Sequence, residues 1–153
     1  MNTALLLIFL ILVVAPLSNF VHEIGHLLGA KLAKADEITL VIGRGKKLFR
    51  LVFYNMELQI GRMFISSGYT GSKRIKPYSN VEVFYITLFG PLLNAIIVFI
   101  CYLFYQSVPN TYLLIFMLYN CWLFVMNAIP YKVGKQESDG LIMVRALFQK
   151  NVY

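Results

Sequence analysis

The sequence contains little charge. Only 14% of its 153 residues are charged, whereas 59% are hydrophobic, and the mean hydropathy is +0.69. A soluble domain carries about 25% charged residues, so this composition indicates a membrane protein of one domain. Cysteine is also scarce. Cys101 and Cys121 both lie in apolar runs and form no Cys-x-x-Cys pair, so we predict packing roles rather than a disulfide or a metal site.

Two kinds of signal are missing. The net charge of +7 comes with no basic helix, zinc knuckle or aromatic-basic motif, and the charge lies between apolar segments, so we predict no nucleic-acid partner. Lys and Arg are absent ahead of the first apolar run, which continues directly into residues 22–26. We therefore expect a retained transmembrane helix rather than a cleaved secretory signal.

Three apolar segments are long enough to cross a bilayer, which requires about twenty helical residues. They cover about residues 3–32, 81–105 and 111–130. We expect Pro16 to bend the first segment by freeing the carbonyl four residues earlier. The small residues Gly25, Gly29 and Ala30 should let another helix approach closely.

The segment between the first two spans has β-strand character. Apolar residues alternate with others from Ile38 to Ile42 and from Met56 to Ile60, and Tyr54-Asn55 is typical of a turn. We predict two to four short antiparallel strands within residues 36–70. The predicted fold is a polytopic α-helical membrane protein with one domain over residues 1–153. It has three transmembrane helices, a small membrane-associated β-sheet between spans one and two, and a short C-terminal interfacial helix near residues 141–148.

The basic residues predict the orientation of these spans. Ten of the fourteen lie at the end of span one (Lys31) or between spans one and two, and none lies between spans two and three. Four follow span three: Lys132, Lys135, Arg145 and Lys150. Positive residues favour the cytoplasmic side. We therefore expect an integral protein of a bacterial plasma membrane, with the N-terminus outside and the C-terminus in the cytoplasm.

One polar motif interrupts the first span, His22-Glu23-Ile24-Gly25-His26. Residues four apart lie on one helix face, so both imidazoles can reach one point. Two imidazoles at this spacing suit Zn²⁺, and Glu23 can act as general base toward water activated by the ion. Ionisable groups are costly inside a membrane, so a pure packing role is disfavoured.

Catalytic zinc usually has three protein ligands, and two histidines leave one to find. A metzincin would place a His six residues after His26, but Leu32 stands there. Glu57 and Glu82 remain candidates of the thermolysin kind. Asp139 is favoured because it follows a helix end on the same predicted side, and Gly140 beside it would allow a tight turn.

Four motifs together resemble the site-2 proteases, a family of intramembrane zinc metalloproteases. They are the His22–His26 motif with Ala30 after it, Gly90-Pro91-Leu92-Leu93-Asn94, Asn127-Ala128-Ile129-Pro130 and Asp139-Gly140, in the family's order. The resemblance implies that His22, His26 and Asp139 bind zinc and that Glu23 is the general base and then the acid. It implies that Asn127 and Asn94 bind the substrate backbone or the developing oxyanion.

The resemblance also implies a substrate and a manner of binding. The substrate would be a transmembrane or membrane-proximal peptide segment, bound unwound as an added strand on the membrane-associated sheet. The chain resembles a nearly minimal catalytic core, which leaves room for a regulatory membrane partner. One departure is the spacing from Asn127 to Asp139, twelve residues where the family commonly has eight. We expect a looped-out insertion within residues 131–138.

Two other functions fit parts of the pattern. A catalytically silent accessory or immunity protein could keep the fold, although the intact His22, Glu23, His26 and Asp139 argue against it. A small metal transporter could use the same residue types. A transporter would spread them through the membrane, whereas here they converge near one face.

Overall fold

A computed structural model describes residues 2–148, so Lys150 lies outside the described residues. The chain begins with α1 (Thr3–Phe9), a π-helical turn (Leu10–Val14) and α2 (Ala15–Leu32), which together form one continuous helix. Two long strands follow, β1 (Glu37–Phe53) and β2 (Met56–Lys73). The remaining elements are α3 (Asn80–Ser107), α4 (Thr111–Ala128), β3 (Lys132–Val133), β4 (Gln136–Glu137) and α5 (Asp139–Phe148).

Three helical stretches are long and apolar enough to cross a membrane. They are Thr3–Leu32, Asn80–Ser107 and Thr111–Ala128, with mean hydropathies of 2.6, 2.2 and 1.5 over their best windows. The first two match the predicted spans within two residues at each end. The third ends at Ala128 because Pro130 excludes the helical conformation from the residue before it, and Ile129 is extended (ψ 131°).

A π-helical turn precedes Pro16, the residue at which we predicted a bend. Pro16 has no N–H to donate to the carbonyl of Leu12, four residues earlier. The backbone adopts wider π-helical turns over Leu10–Val14, directly before the proline, and then returns to an α-helix at Ala15. The helix therefore continues through the proline to the His22–His26 motif.

Small residues let α2 and α3 pack closely beside that motif. A Cβ atom on Gly25 would overlap the backbone of Phe89 and Gly90, and one on Gly29 would lie 2.7 Å from Ile86 Cα. This confirms the close approach predicted from the glycines. It holds the His22–His26 face of α2 against the Gly90-Pro91 region of α3.

The predicted sheet is present, but the prediction of short strands within residues 36–70 is wrong. Two long antiparallel strands with several bulges extend to Lys73, joined by the predicted turn at Tyr54-Asn55, where Tyr54 has φ 51°. Because of these bulges, one part of β1 pairs with two different parts of β2. Residues 38–42 face 68–72 on one side and 56–60 on the other. Residues 68–73 therefore form an outer edge of the sheet.

A cluster around Arg74 joins the end of the sheet to two helices. The Nη1 atom of Arg74 donates to Ala33 O (2.6 Å) and to Glu82 Oε1 (2.7 Å), and its Nη2 atom donates to Glu82 Oε2 (2.9 Å). Glu82 also forms a capping box with Ser79 at the start of α3. These bonds fix the end of β2 relative to both α2 and α3.

Residues 131–138, expected to be a looped-out insertion, form a small β-hairpin. Lys132 pairs with Glu137 and Val133 with Gln136, and Gly134 has φ 60° in the turn. Lys132 (2.9 Å) and Arg145 of α5 (2.6 Å) donate to the carboxylate of Glu137. These two cations hold the pKa of Glu137 below its usual range. The hairpin is thereby attached to α5.

Candidate metal centre

The two histidines of α2 point at the same place. His22 Nε2 and His26 Nε2 lie 3.1 Å apart, and both side chains are largely buried. Their other ring nitrogens are each held from α3, since His22 Nδ1 lies 2.7 Å from Asn94 Oδ1 and His26 Nδ1 lies 3.0 Å from the carbonyl of Ile86. A carbonyl only accepts hydrogen bonds, so His26 carries its hydrogen on Nδ1. In the neutral ring, Nε2 then carries a lone pair.

Asp139 brings a carboxylate to the same point from the start of α5. Its Oδ2 lies 3.1 Å from His22 Nε2 and 3.4 Å from His26 Nε2. These distances are short, yet Oδ2 is buried and has no hydrogen-bond partner. The absence of a bond is consistent with imidazoles whose hydrogens are on Nδ1. When both rings are neutral with their hydrogens on Nδ1, three electron-rich atoms face one another.

This arrangement fits a zinc ion. Zinc in proteins is tetrahedral, with N and O ligands at about 2.0–2.2 Å, so two of its ligand atoms lie about 3.3 Å apart. The three separations here, 3.1, 3.1 and 3.4 Å, agree with that value. Within residues 2–148, the potential metal-binding group of three or more side chains consists of His22, His26 and Asp139. Three protein ligands leave a fourth position for water or substrate.

Glu23 lies beside this group and is held by the sheet. Its Oε2 accepts a hydrogen bond from Thr70 Oγ1 at 2.6 Å, and its side chain is mostly buried. Gly68, two residues earlier on β2, lies so close that a Cβ there would be 2.7 Å from Glu23 Oε1. Sequence reasoning missed both Thr70 and Gly68, because their contact with Glu23 spans more than forty residues of chain.

A cavity of about 700 Å³ opens over these groups. His22, Glu23, His26 and Asp139 line its floor, and Asn127 lies on its wall. Other walls come from the β2 segment Ser67–Thr70 and from the hairpin at residues 131–138. The cavity therefore joins the ligand group, the outer sheet edge and the predicted polar residue of α4.

Asn94 lies elsewhere. It is fully buried, and its side-chain oxygen is directed at His22 Nδ1 rather than into the cavity. The predicted pairing of Asn94 with a substrate backbone has no contact surface in this arrangement. Asn94 instead holds one histidine of the candidate metal-binding group.

The glutamates considered as alternative ligands are engaged elsewhere. Glu57 accepts hydrogen bonds from Arg50 and Gln59 on the sheet, and Glu82 is held by Arg74 and Ser79. Gly140 has a role other than the predicted tight turn. It lies within α5, where a Cβ would overlap the carbonyl of Ala128 at the end of α4. Close helix packing, rather than a turn, requires glycine beside Asp139.

The family model for peptidase family M50 matches residues 4–110, which is more than half of the chain. The chain belongs to this family, the site-2 protease family. Its members are membrane zinc metalloproteases, which agrees with the ligand group described above. A comparison with curated proteins found no match.

The matched region includes His22, Glu23, His26 and Asn94 and ends before Asn127 and Asp139. The inclusion of Asp139 in the candidate group therefore depends on its geometry. The helix α5 packs against α3, and Ser138 fixes its start: the Ser138 hydroxyl donates to Ile129 O (2.7 Å) and accepts from Tyr131 N (2.9 Å) and Leu141 N (3.2 Å). These bonds close the hairpin at its base. A change in the length of the hairpin should therefore leave the position of Asp139 unchanged.

Deleting residues 133–136 should therefore be tolerated. Lys132 and Glu137 are paired in the hairpin, so the cut ends lie about 5 Å apart and can be joined. We expect the free energy of unfolding to change by less than about 1 kcal/mol and zinc content to be retained, measured by thermal unfolding and metal analysis in detergent.

The matched control keeps the hairpin length and removes the side-chain hydrogen bonds at its base. Ser138→Ala should lower zinc affinity, because Asp139 loses the hydroxyl that fixes the start of α5. Loss of zinc on deletion with retention in Ser138→Ala would show that the hairpin itself positions Asp139.

Proposed function

We propose that this protein is an intramembrane zinc endopeptidase that cleaves a transmembrane or membrane-proximal peptide segment near the cytoplasmic face. The observation that carries the proposal is the convergence of His22 Nε2, His26 Nε2 and Asp139 Oδ2 beside Glu23 at the floor of one cavity. Membership of peptidase family M50 supports the same reaction class.

The proposed roles follow from the contacts of each side chain. His22, His26 and Asp139 would hold Zn²⁺, which supplies Lewis acidity to a water molecule and to the scissile carbonyl. Glu23 takes a proton from the attacking water and later gives a proton to the leaving amine. Thr70 donates a hydrogen bond to one oxygen of Glu23, which holds the carboxylate beside the proposed metal ligands.

Asn127 is proposed to bind the substrate backbone. It lines the cavity, and its Nδ2 donates to Leu123 O at 2.9 Å, which fixes the orientation of the amide. One of the two hydrogens on Nδ2 is used in that bond. The other can donate to a substrate carbonyl or to the oxyanion that develops from it.

The outer edge of the sheet is proposed to bind the substrate as an extended strand. Residues 68–73 pair with β1 on one side, and Ser67–Thr70 line the cavity next to Glu23. A helical peptide bond is shielded, whereas an extended segment can pair with a strand edge. A substrate strand added here would pass directly over the metal ligands.

The long apolar helices are proposed to span a lipid bilayer. In the most apolar window of Thr3–Leu32 only 11% of the residues are buried within the protein. Large apolar side chains such as Leu5, Ile8 and Leu12 are each more than half exposed. A helix that is apolar on all sides requires an apolar environment, which lipid provides. The proposed location is a bacterial plasma membrane.

The proposed orientation can be tested with accessible tags. Tags at residues 1 and 108 should react with reagents outside the cell, and tags at residues 75 and 153 only after the membrane is made permeable, because most Lys and Arg lie on the latter side. Labelling in intact and permeabilised cells provides the measurement. The reversed pattern would place the metal ligands near the outer face instead.

Two alternatives differ in measurable ways. A catalytically silent accessory or immunity protein would bind zinc without cleaving any segment, and a metal transporter would carry zinc into proteoliposomes. The decisive test of the protease is co-expression with single-span membrane proteins, comparing the natural chain with a Glu23→Gln form. Cleavage only by the natural chain supports the proposal, and a regulatory membrane partner would be sought where cleavage requires a further protein.

A further inference from the structure

Three polar side chains are completely buried between the long helices. Ser18 of α2, Asn94 of α3 and Asn120 of α4 each have 0% exposure. Buried polar groups between apolar helices are costly unless each finds a partner. Here they form one connected group, and the group ends at His22.

The hydrogen bonds fix which way each amide points. Asn120 Nδ2 donates to the carbonyl of Phe116 at 2.9 Å and to Ser18 Oγ at 2.8 Å. A carbonyl cannot donate, so the Nδ2 and Oδ1 atoms of Asn120 cannot be exchanged. Asn120 Oδ1 therefore faces Asn94, whose Nδ2 donates to it at 2.8 Å and to the carbonyl of Ser18 at 3.3 Å.

The same logic determines the hydrogen on His22. Because the Nδ2 atom of Asn94 faces two acceptors, its Oδ1 atom must face His22 Nδ1, 2.7 Å away. That oxygen can only accept, so His22 Nδ1 must donate. In the neutral ring, His22 Nε2 then carries a lone pair directed at His26 and Asp139.

The two histidines are held in different ways. His26 bonds to a backbone carbonyl, that of Ile86, which no side-chain substitution removes. His22 bonds to a side-chain amide that could rotate, and the orientation of that amide depends on Asn120 and Ser18. Only His22 therefore depends on the buried polar group.

We propose that Ser18 and Asn120 are positioning residues of the metal centre, acting through Asn94 to keep His22 in the Nδ1–H form that leaves Nε2 free for a metal. The proposal builds on the assignment of His22 as a zinc ligand. It adds α4, through a residue that touches neither the cavity nor a ligand, to the elements that set metal affinity. Groups that orient metal-bound histidines typically contribute 10–100-fold in affinity.

Asn120→Leu tests the proposal with similar volume and no amide. Asn94 would lose the acceptor at 2.8 Å and keep only Ser18 O at 3.3 Å. We expect a zinc affinity about 10-fold weaker, measured by competition with a chelator in detergent. Ser18→Ala removes a single hydroxyl, so it should fold even if Asn120→Leu does not, and a smaller loss of about 3-fold is expected.

Asn110→Ala is the matched control. Asn110 is on the same helix and caps its N-terminus by accepting from Tyr112 N and Leu113 N. Its loss should lower the thermal stability of the protein without changing zinc affinity. Equal affinity losses in Asn110→Ala and Asn120→Leu would mean that general destabilisation is responsible, which would overturn the proposal.

A second measurement does not depend on zinc or on proteolysis. The chain has two histidines, so a ¹⁵N-histidine spectrum of the metal-free protein contains four ring nitrogens. At a pH at which both rings are neutral, both should carry hydrogen on Nδ1. In Asn120→Leu and Ser18→Ala, His22 should shift toward a mixture of the two forms while His26 stays unchanged.

An unchanged His22 signal in both variants would overturn the proposal even if the protein is an active protease. Conversely, a natural chain that fails to bind zinc would refute the proposed function. The ¹⁵N measurement would still decide whether the buried group orients His22.

Discussion

Replacing Glu23 by Gln is expected to abolish peptide cleavage while zinc binding and the fold persist. Gln has nearly the same shape and can still bond to Thr70, but it cannot accept a proton from water at neutral pH. General acid–base catalysis contributes about 10²–10⁴-fold, and here one carboxylate is assigned both proton transfers. Glu23 is not among the three ligand atoms, so the metal should remain.

The measurement compares cleavage of a co-expressed single-span protein with the zinc content of the purified chain. Glu57→Gln is the matched control, because Glu57 lies on the sheet, bonded to Arg50, and is not a cavity residue. It should cleave at nearly the natural rate. More than a few per cent of activity in Glu23→Gln would remove this carboxylate from the mechanism.

The parts of the site that are local in sequence could be predicted. The spacing of His22 and His26 places both rings on one face by helix geometry alone, and the apolar runs determine the long helices. The sheet was predictable as β structure from its alternation. Its bulges and the length of its strands were not, because they depend on pairing between residues far apart in the chain, as between Glu37 and Lys73.

Contacts across the fold could not be predicted from the residues alone. Nothing in the sequence marks Thr70 as a partner of Glu23, or Ser18 and Asn120 as partners of Asn94, since each bond joins separate elements. A polar residue in an apolar span does indicate a buried partner or a function. Asn120 is such a residue, but the sequence does not identify the residues that it contacts.

Gly140 illustrates a different limit. A glycine beside a candidate ligand can serve a turn or a close approach, and the sequence does not distinguish the two. Gly140 packs against the carbonyl of Ala128, so this glycine serves a close approach. The same packing brings Asp139 to the histidines despite the longer spacing from Asn127.

Asp139→Ala should therefore lower zinc affinity and cleavage together. Removing one of three protein ligands should weaken zinc binding by at least about 100-fold, since loss of even a group that merely orients a ligand costs about 10–100-fold. The helix α5 should still form, because Ala favours helix and Ser138 still bonds to Leu141 N. Metal analysis and chelator competition measure the binding, and co-expression measures the cleavage.

Glu82→Gln is the control that separates metal loss from destabilisation. Glu82 caps α3 and pairs with Arg74, so its replacement should lower thermal stability, whereas zinc affinity should stay unchanged. The opposite result has a definite meaning. If zinc survived in Asp139→Ala and disappeared in Glu82→Gln, the third ligand would be a glutamate. The site would then be of the thermolysin kind.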